Sequence, residues 1–176
     1  MTASLTPAVP LPYVPMGAGT GRKHMTIVVD GIEAIKGLAG QDLGATEWME
    51  ISQERVNQFA DATDDHQWIH VDVDRAKQGP FQGPIAHGFL TLSLTVPLFG
   101  RLVRFTGVGM AINYGLNKVR FPAPVPVGSR IRMLGTVAEA TPVGGGGAQL
   151  VTDFTVEAEG SAKPVCVAQS VHRFYP

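Results

Sequence analysis

FLTLSLTVPLFGRLVRF, residues 89–105, is the longest apolar run of the chain, and what it forms decides the fold. Its length approaches that of a membrane helix, but Arg101 and Arg104 lie within it and Pro97 and Gly100 interrupt it. It reads instead as a buried helix from about Gly88 to Phe99, apolar on nearly all sides and therefore central. The chain beyond Gly109 is patterned for strands. MAINYGLNKVRF is β-rich and stops at the Pro-rich FPAPVPVGS, and SRIRMLGTVAEA and QLVTDFTVEAE both alternate. In the last of these, Leu150, Thr152, Phe154, Val156 and Ala158 oppose Val151, Asp153, Thr155, Glu157 and Glu159, the period of a half-buried strand. Gly144 to Gly147 form one turn, GSAKP another, and PVCVAQSVHRFY the final strand. The expectation is an antiparallel meander of four strands taken in sequence.

Upstream, EISQERVNQFADAT has Val56, Phe59 and Ala60 at helical spacing, Ser52 at the N-cap position and Glu54 in the first turn. DVDRAKQ reads as a second short helix starting at an Asp cap, and QGPFQGP as loop. A sheet with one apolar face and a helix apolar on most sides satisfy each other if the sheet wraps the helix, so the fold class is α+β. A symmetric dimer would hide the sheet's free edge.

Composition bounds the function. The 176 residues suit one domain, with residues 1–24 expected as a flexible tail or non-native extension and 25–176 as the domain. The first 24 residues hold four of the 13 prolines and no acidic residue, and the prolines interrupt each apolar run before it reaches signal-peptide length. With 14 Lys+Arg against 15 Asp+Glu, no electrostatic footprint for nucleic acid or an anionic membrane exists. Cys166 is alone, which excludes an intrachain disulfide and fits a reducing compartment, the cytoplasm by default.

The chemistry concentrates in ATDDHQWIHVDVDRA, residues 62–76. As a calcium loop it fails, with His66 where a tight-turn Gly belongs and Asp72 in place of a bidentate Glu. His66 and His70 lack the HExxH spacing, and there is no second cysteine for zinc, so no metal is expected. No GxSxG elbow supplies a nucleophile. Asp65 and His70 remain, a carboxylate and an imidazole able to hold one water between them. Trp68 and Ile69 would press the histidine into the core.

FADATDDHQWIHVD followed by GPIAHGFLTLSL resembles the MaoC-like dehydratases, the (R)-specific enoyl-CoA hydratases of the hot-dog fold. That family pairs an Asp with a His after four intervening residues, then places Pro-Ile-x-His-Gly before a long apolar helix; here these are Asp65, His70 and Pro84-Ile85-Ala86-His87-Gly88. AINYGLNKVRFPAPVPVGSRIR and VEAEGSAKPVCVAQS are similar to the branch that includes actinobacterial hydratases and nodulation protein N-like sequences. One departure is that many hydratases have Asp-x-Asn-Pro, where the Asn helps hold the water, and this chain has Gln67-Trp68.

The resemblance implies a hot-dog fold, a homodimer and hydration of a trans-2-enoyl-CoA to an (R)-3-hydroxyacyl-CoA, without a cofactor. Asp65 and His70 would share the proton work as a coupled pair, with the division between them open. The backbone N–H of Gly88, at the positive end of the central helix, suits the developing thioester oxyanion. The substrate would further meet Gln67, Ile85, Ala86 and His87, and its pantetheine arm the backbone of Ala111, Ile112, Asn113 and Tyr114 and the Phe121, Pro122, Ala123, Pro124 turn. Lys118, Arg120 and Arg130 are candidates for the nucleotide phosphates. Two alternatives remain, a hot-dog acyl-CoA thioesterase and a non-catalytic acyl-CoA-binding or signalling protein.

Overall fold

The computed structural model describes residues 26–176; the tail expected at 1–24 lies outside the described residues. The chain runs β1 (Ile27–Asp30), α1 (Gly31–Lys36), β2 (Asp42–Ala45), β3 (Met49–Glu50), α2 (Gln53–Thr63), α3 (Trp68–Val71) and α4 (Val73–Lys77). It continues as α5 (Gly88–Ser93), α6 (Thr95–Leu102), β4 (Val103–Thr106), β5 (Met110–Arg120), β6 (Arg130–Val143), β7 (Gly147–Ala158) and β8 (Cys166–Tyr175). No described helix is long and apolar enough to cross a membrane.

The apolar run does form the central helix, in two segments joined at Leu94. Leu94 N–H donates to the Leu90 carbonyl and Leu98 N–H to that of Leu94, so the hydrogen-bond ladder crosses the junction. Pro97 has no N–H for the Ser93 carbonyl and crowds it, which accounts for the local change there. The helix nevertheless continues through Pro97 and Gly100 to Leu102, beyond the Phe99 boundary expected from the sequence. Leu90, Leu94, Leu98 and Leu102, four residues apart, are buried against the sheet, each contributing roughly 1.5–3 kcal/mol of burial energy. The opposite face is not wrapped: Phe89 is 68% exposed and Val96 50%.

The sheet has the order β2-β6-β7-β8-β5, with β3 also beside β6. The alternation in β7 is realised: Leu150, Thr152, Phe154, Val156 and Ala158 are all buried. On the outer face Arg132 and Glu157, cross-strand partners, form a 2.8 Å ion pair. Strands β6, β7 and β8 make the expected meander. β5 departs from it by pairing with the last strand, β8, instead of β6, its neighbour in sequence. The Pro-rich stretch between β5 and β6 is long enough to carry the chain across the sheet. The sequence reading also missed β1, which pairs in parallel with β4, and α1 and β2, too short to show a period.

Candidate active site

Three local structures deliver the functional side chains. Helix α2 starts at Ser52, whose hydroxyl accepts from Arg55 N–H at 3.3 Å, and ends at Asp64 in the left-handed region, φ 58°. The reversal at Asp64 opens the loop that bears Asp65, and α3 follows at once and places His70 in its last turn. Asp72 then caps α4, its carboxylate accepting from Arg75 N–H at 3.1 Å. The third structure is Pro84-Ile85-Ala86, held extended because Ala86 N–H donates to Val125 O (2.8 Å) and Val127 N–H to Pro84 O (2.9 Å). Ile85 stitches this segment to α3, donating to Ile69 O at 3.0 Å while its own carbonyl lies 2.6 Å from His70 Nδ1.

These contacts bring Asp65, His70 and His87 together. A carboxylate oxygen of Asp65 and one nitrogen of each imidazole all lie within 4.8 Å of one another. His70 is 6% exposed and His87 2%, their rings stacked at 3.8 Å between centroids, while Asp65 is exposed. Burial lowers the His70 pKa; the Ile85 carbonyl opposes that shift, the His87 ring reinforces it and Asp65 opposes it. A carbonyl can only accept, so Nδ1 of His70 carries its hydrogen and Nε2 is the bare base of the neutral ring. Gln53, at the start of α2, donates from Nε2 to the His70 carbonyl at 2.8 Å. Among the described residues, Asp65, His70 and His87 are also the set whose donor atoms are close enough to share an ion.

The other ionisable groups of the stretch are accounted for elsewhere. His66 pairs with Asp61 at 2.9 Å, in solvent, which raises its pKa, and Asp74 pairs with Lys77. Cys166 is fully buried, and burial pushes its thiol up to about 11, the state of an inert core residue.

A cleft of about 370 Å³ opens in front of His70. Of the residues expected at the substrate, Ile85, Ala86, Gly88, Phe121, Pro122, Ala123 and Pro124 line it. His87 stacks behind His70, against Phe59 at 5.0 Å, and Gln67 is exposed at the N-cap of α3. Ala111, Ile112, Asn113 and Tyr114 sit on β5 and are not among the cleft's walls. Asn113 faces a second cavity with Leu116 and His172, and Tyr114 lies beneath the Arg173 guanidinium. Arg130 makes two hydrogen bonds to the Glu159 carboxylate. Phe81, Thr91, Val125 and Val165 complete the cleft and were not anticipated. Of these only Phe81, an aromatic within a Gly-Pro loop, left a sequence signal. Gly88 packs closely there: a Cβ on it would come within 3.0 Å of the Phe121 ring. The N–H of Gly88 donates to no described group.

An antiparallel sheet packed on a central helix, with an Asp-His pair ahead of the helix start, defines a class: the chain belongs to the MaoC-like domain family, whose model matches residues 35–158. The fold is the hot-dog fold of that family. More particularly, the chain is 52% identical to 3-hydroxyacyl-thioester dehydratase Z of Mycobacterium tuberculosis, over 82% of its own length and 96% of that protein. It is 41% identical to nodulation protein N of Rhizobium meliloti, over 81% and 91% of the two chains. The solved (R)-hydratase of A. caviae superposes with a TM-score of 0.60 at 25% identity, covering 78% of this chain and 96% of that one.

Proposed function

We propose that the protein is a hydro-lyase of 3-hydroxyacyl thioesters, adding water to a trans-2-enoyl-CoA to give the (R)-3-hydroxyacyl-CoA and catalysing the reverse dehydration. The observation that carries this is the meeting of the Asp65 carboxylate and a His70 nitrogen, within 4.8 Å, beside a cleft that Gly88 lines. The name of the M. tuberculosis relative, a 3-hydroxyacyl-thioester dehydratase, supports the reaction class.

The reaction needs water at Cβ, a proton at Cα and a donor for the enolate oxygen. Asp65 and His70 together take one proton from the water and return one to Cα on the same face, a syn addition. Gly88 N–H, without a partner among the described residues at the helix start, stabilises the oxyanion. Gln67 offers its amide to the water from the α3 cap, and Ile85, Ala86 and the Pro122-Ala123-Pro124 turn hold the thioester and pantetheine. We place the working molecule as a homodimer, since Phe89 and Val96 on the helix and Met110, Ile112, Tyr114 and Leu116 on β5 expose apolar surface.

Incubation with crotonyl-CoA tests the reading. Loss of enoyl absorbance without release of free CoA is the expected result. Release of free CoA with no 3-hydroxyacyl-CoA formed would establish a thioesterase, and neither product would leave a binding protein.

A further inference from the structure

We infer that His87 is the third contact of the reacting water, an acceptor that holds the hydrogen destined to stay on the product hydroxyl. The inference rests on the hydratase reading.

The ring is fixed on both sides, between Phe59 and His70, and is 2% exposed. Its Nε2 lies 2.9 Å from the backbone carbonyl of Asp65, so Nε2 carries the hydrogen and Nδ1 is bare in the neutral ring. That Nδ1 is buried and finds no hydrogen-bond partner among the described residues. An orphaned buried acceptor costs about 1–3 kcal/mol, which a bound donor would recover.

The geometry supplies the donor's place. A carboxylate oxygen of Asp65 and one nitrogen each of His70 and His87 lie no more than 4.8 Å apart, a spacing that one oxygen about 2.8 Å from each would bridge; with Nδ1 of His70 and Nε2 of His87 engaged by carbonyls, the bare nitrogens are the ones left to face it. A water there has two hydrogens and two lone pairs, and one lone pair must face Cβ. The Asp65–His70 pair takes one hydrogen; without a second acceptor the other hydrogen is free to swing the attacking lone pair away. His87 Nδ1 fixes it. The pair, with Nε2 of His70 bare in the neutral ring, shares that one hydrogen. It gains one as the water O–H breaks and the Cβ–O bond forms, and it gives one to Cα as the C=C π bond is lost. The pair ends as it began, and the hydrogen on His87 leaves with the product.

His87 also ties the Asp65 loop to the helix start through Nε2, and two substitutions separate the two tasks. His87→Gln keeps a donor near the Nε2 position and loses the inner acceptor, whereas His87→Asn keeps an acceptor near the Nδ1 position and loses the tie. With crotonyl-CoA, H87Q is expected to lose at least about tenfold in kcat, with KM within about twofold, and H87N to retain more kcat than H87Q. Near-normal H87Q, or H87Q equal to or better than H87N, would overturn the inference. Thermal unfolding of each variant verifies the fold. Should neither fold, ¹⁵N NMR of the wild-type imidazoles decides: Nε2–H with bare Nδ1 at His87 is expected, and a hydrogen on Nδ1 overturns it. Stoichiometric metal by mass spectrometry, with activity lost to a chelator, would also overturn it. Absence of hydration by the wild type would sink the hydratase reading instead, a result distinct from any ordering of the variants.

Discussion

Asp65 and His70 lie in opposite environments: the carboxylate is exposed, and the imidazole is buried with its pKa held below the ordinary value. A buried imidazole exchanges a proton readily only when a partner shares it. Asp65→Asn and His70→Ala should each lower turnover of an enoyl-CoA at least about a hundredfold, with the unfolding midpoint little changed. Near-full activity in H70A would refute the pairing. His172 is a third buried histidine: Phe99, Phe154 and Phe174 surround its ring and the Ser170 hydroxyl lies 3.4 Å from Nδ1. Burial lowers its pKa from 6.5 to about 4. Above pH 6.5 neither the native nor the unfolded chain protonates it; below, the unfolded chain binds a proton that the native one refuses. Stability should therefore fall as pH drops from about 6.5 to about 4, by up to roughly 3 kcal/mol from this group. Urea unfolding across that range should show a shallower pH slope in His172→Gln than in wild type, and equal slopes would contradict the assignment.

Among the elements, α2 joins stability to the site, because its first residue, Gln53, holds the His70 carbonyl. Ser52→Ala removes the cap on Arg55 N–H and should cost about 1 kcal/mol, seen as a lower urea midpoint at unchanged slope. An unchanged midpoint would mean that the cap contributes nothing. Elements whose cause is local were legible in the sequence. The Ser52 and Asp72 caps, the apolar period of the central helix and the alternation of β7 each follow from residues a few positions apart. Asp65 and the Pro84–Gly88 segment were found through their order along the chain. What escaped depends on distant partners: β5 on β8, Gln53 on the carbonyl of His70, Arg130 on Glu159, and the hydrogen bond that turns His87 inward. None of these pairings leaves a period or a turn signal, since the choice of partner is made by the whole packed sheet and not by the residues beside it.

For the whole molecule the unfinished surface is the decisive feature. β5 is the last strand of the sheet, and all but one of its residues are exposed, among them Met110, Ile112, Tyr114 and Leu116. Phe89 and Val96, seven residues apart, share the uncovered face of the helix, and Val96 and Leu116 line one cavity together, so helix face and strand are continuous. An open edge beside an apolar face invites further strand pairing unless something covers both. A second copy would cover both at once: pairing β5 with β5 about a two-fold axis would satisfy the edge and cover the helix face, and such an interface closes on itself. Sedimentation equilibrium at micromolar concentration should therefore give twice the chain mass. Val96→Lys with Leu116→Lys places four charges in that interface and should return a single-chain mass at the same concentration, since like charges buried together are not offset by any partner there. A wild-type chain that sediments as a monomer would remove the argument, and so would a double variant that stays dimeric, because the apolar face would then need a different occupant.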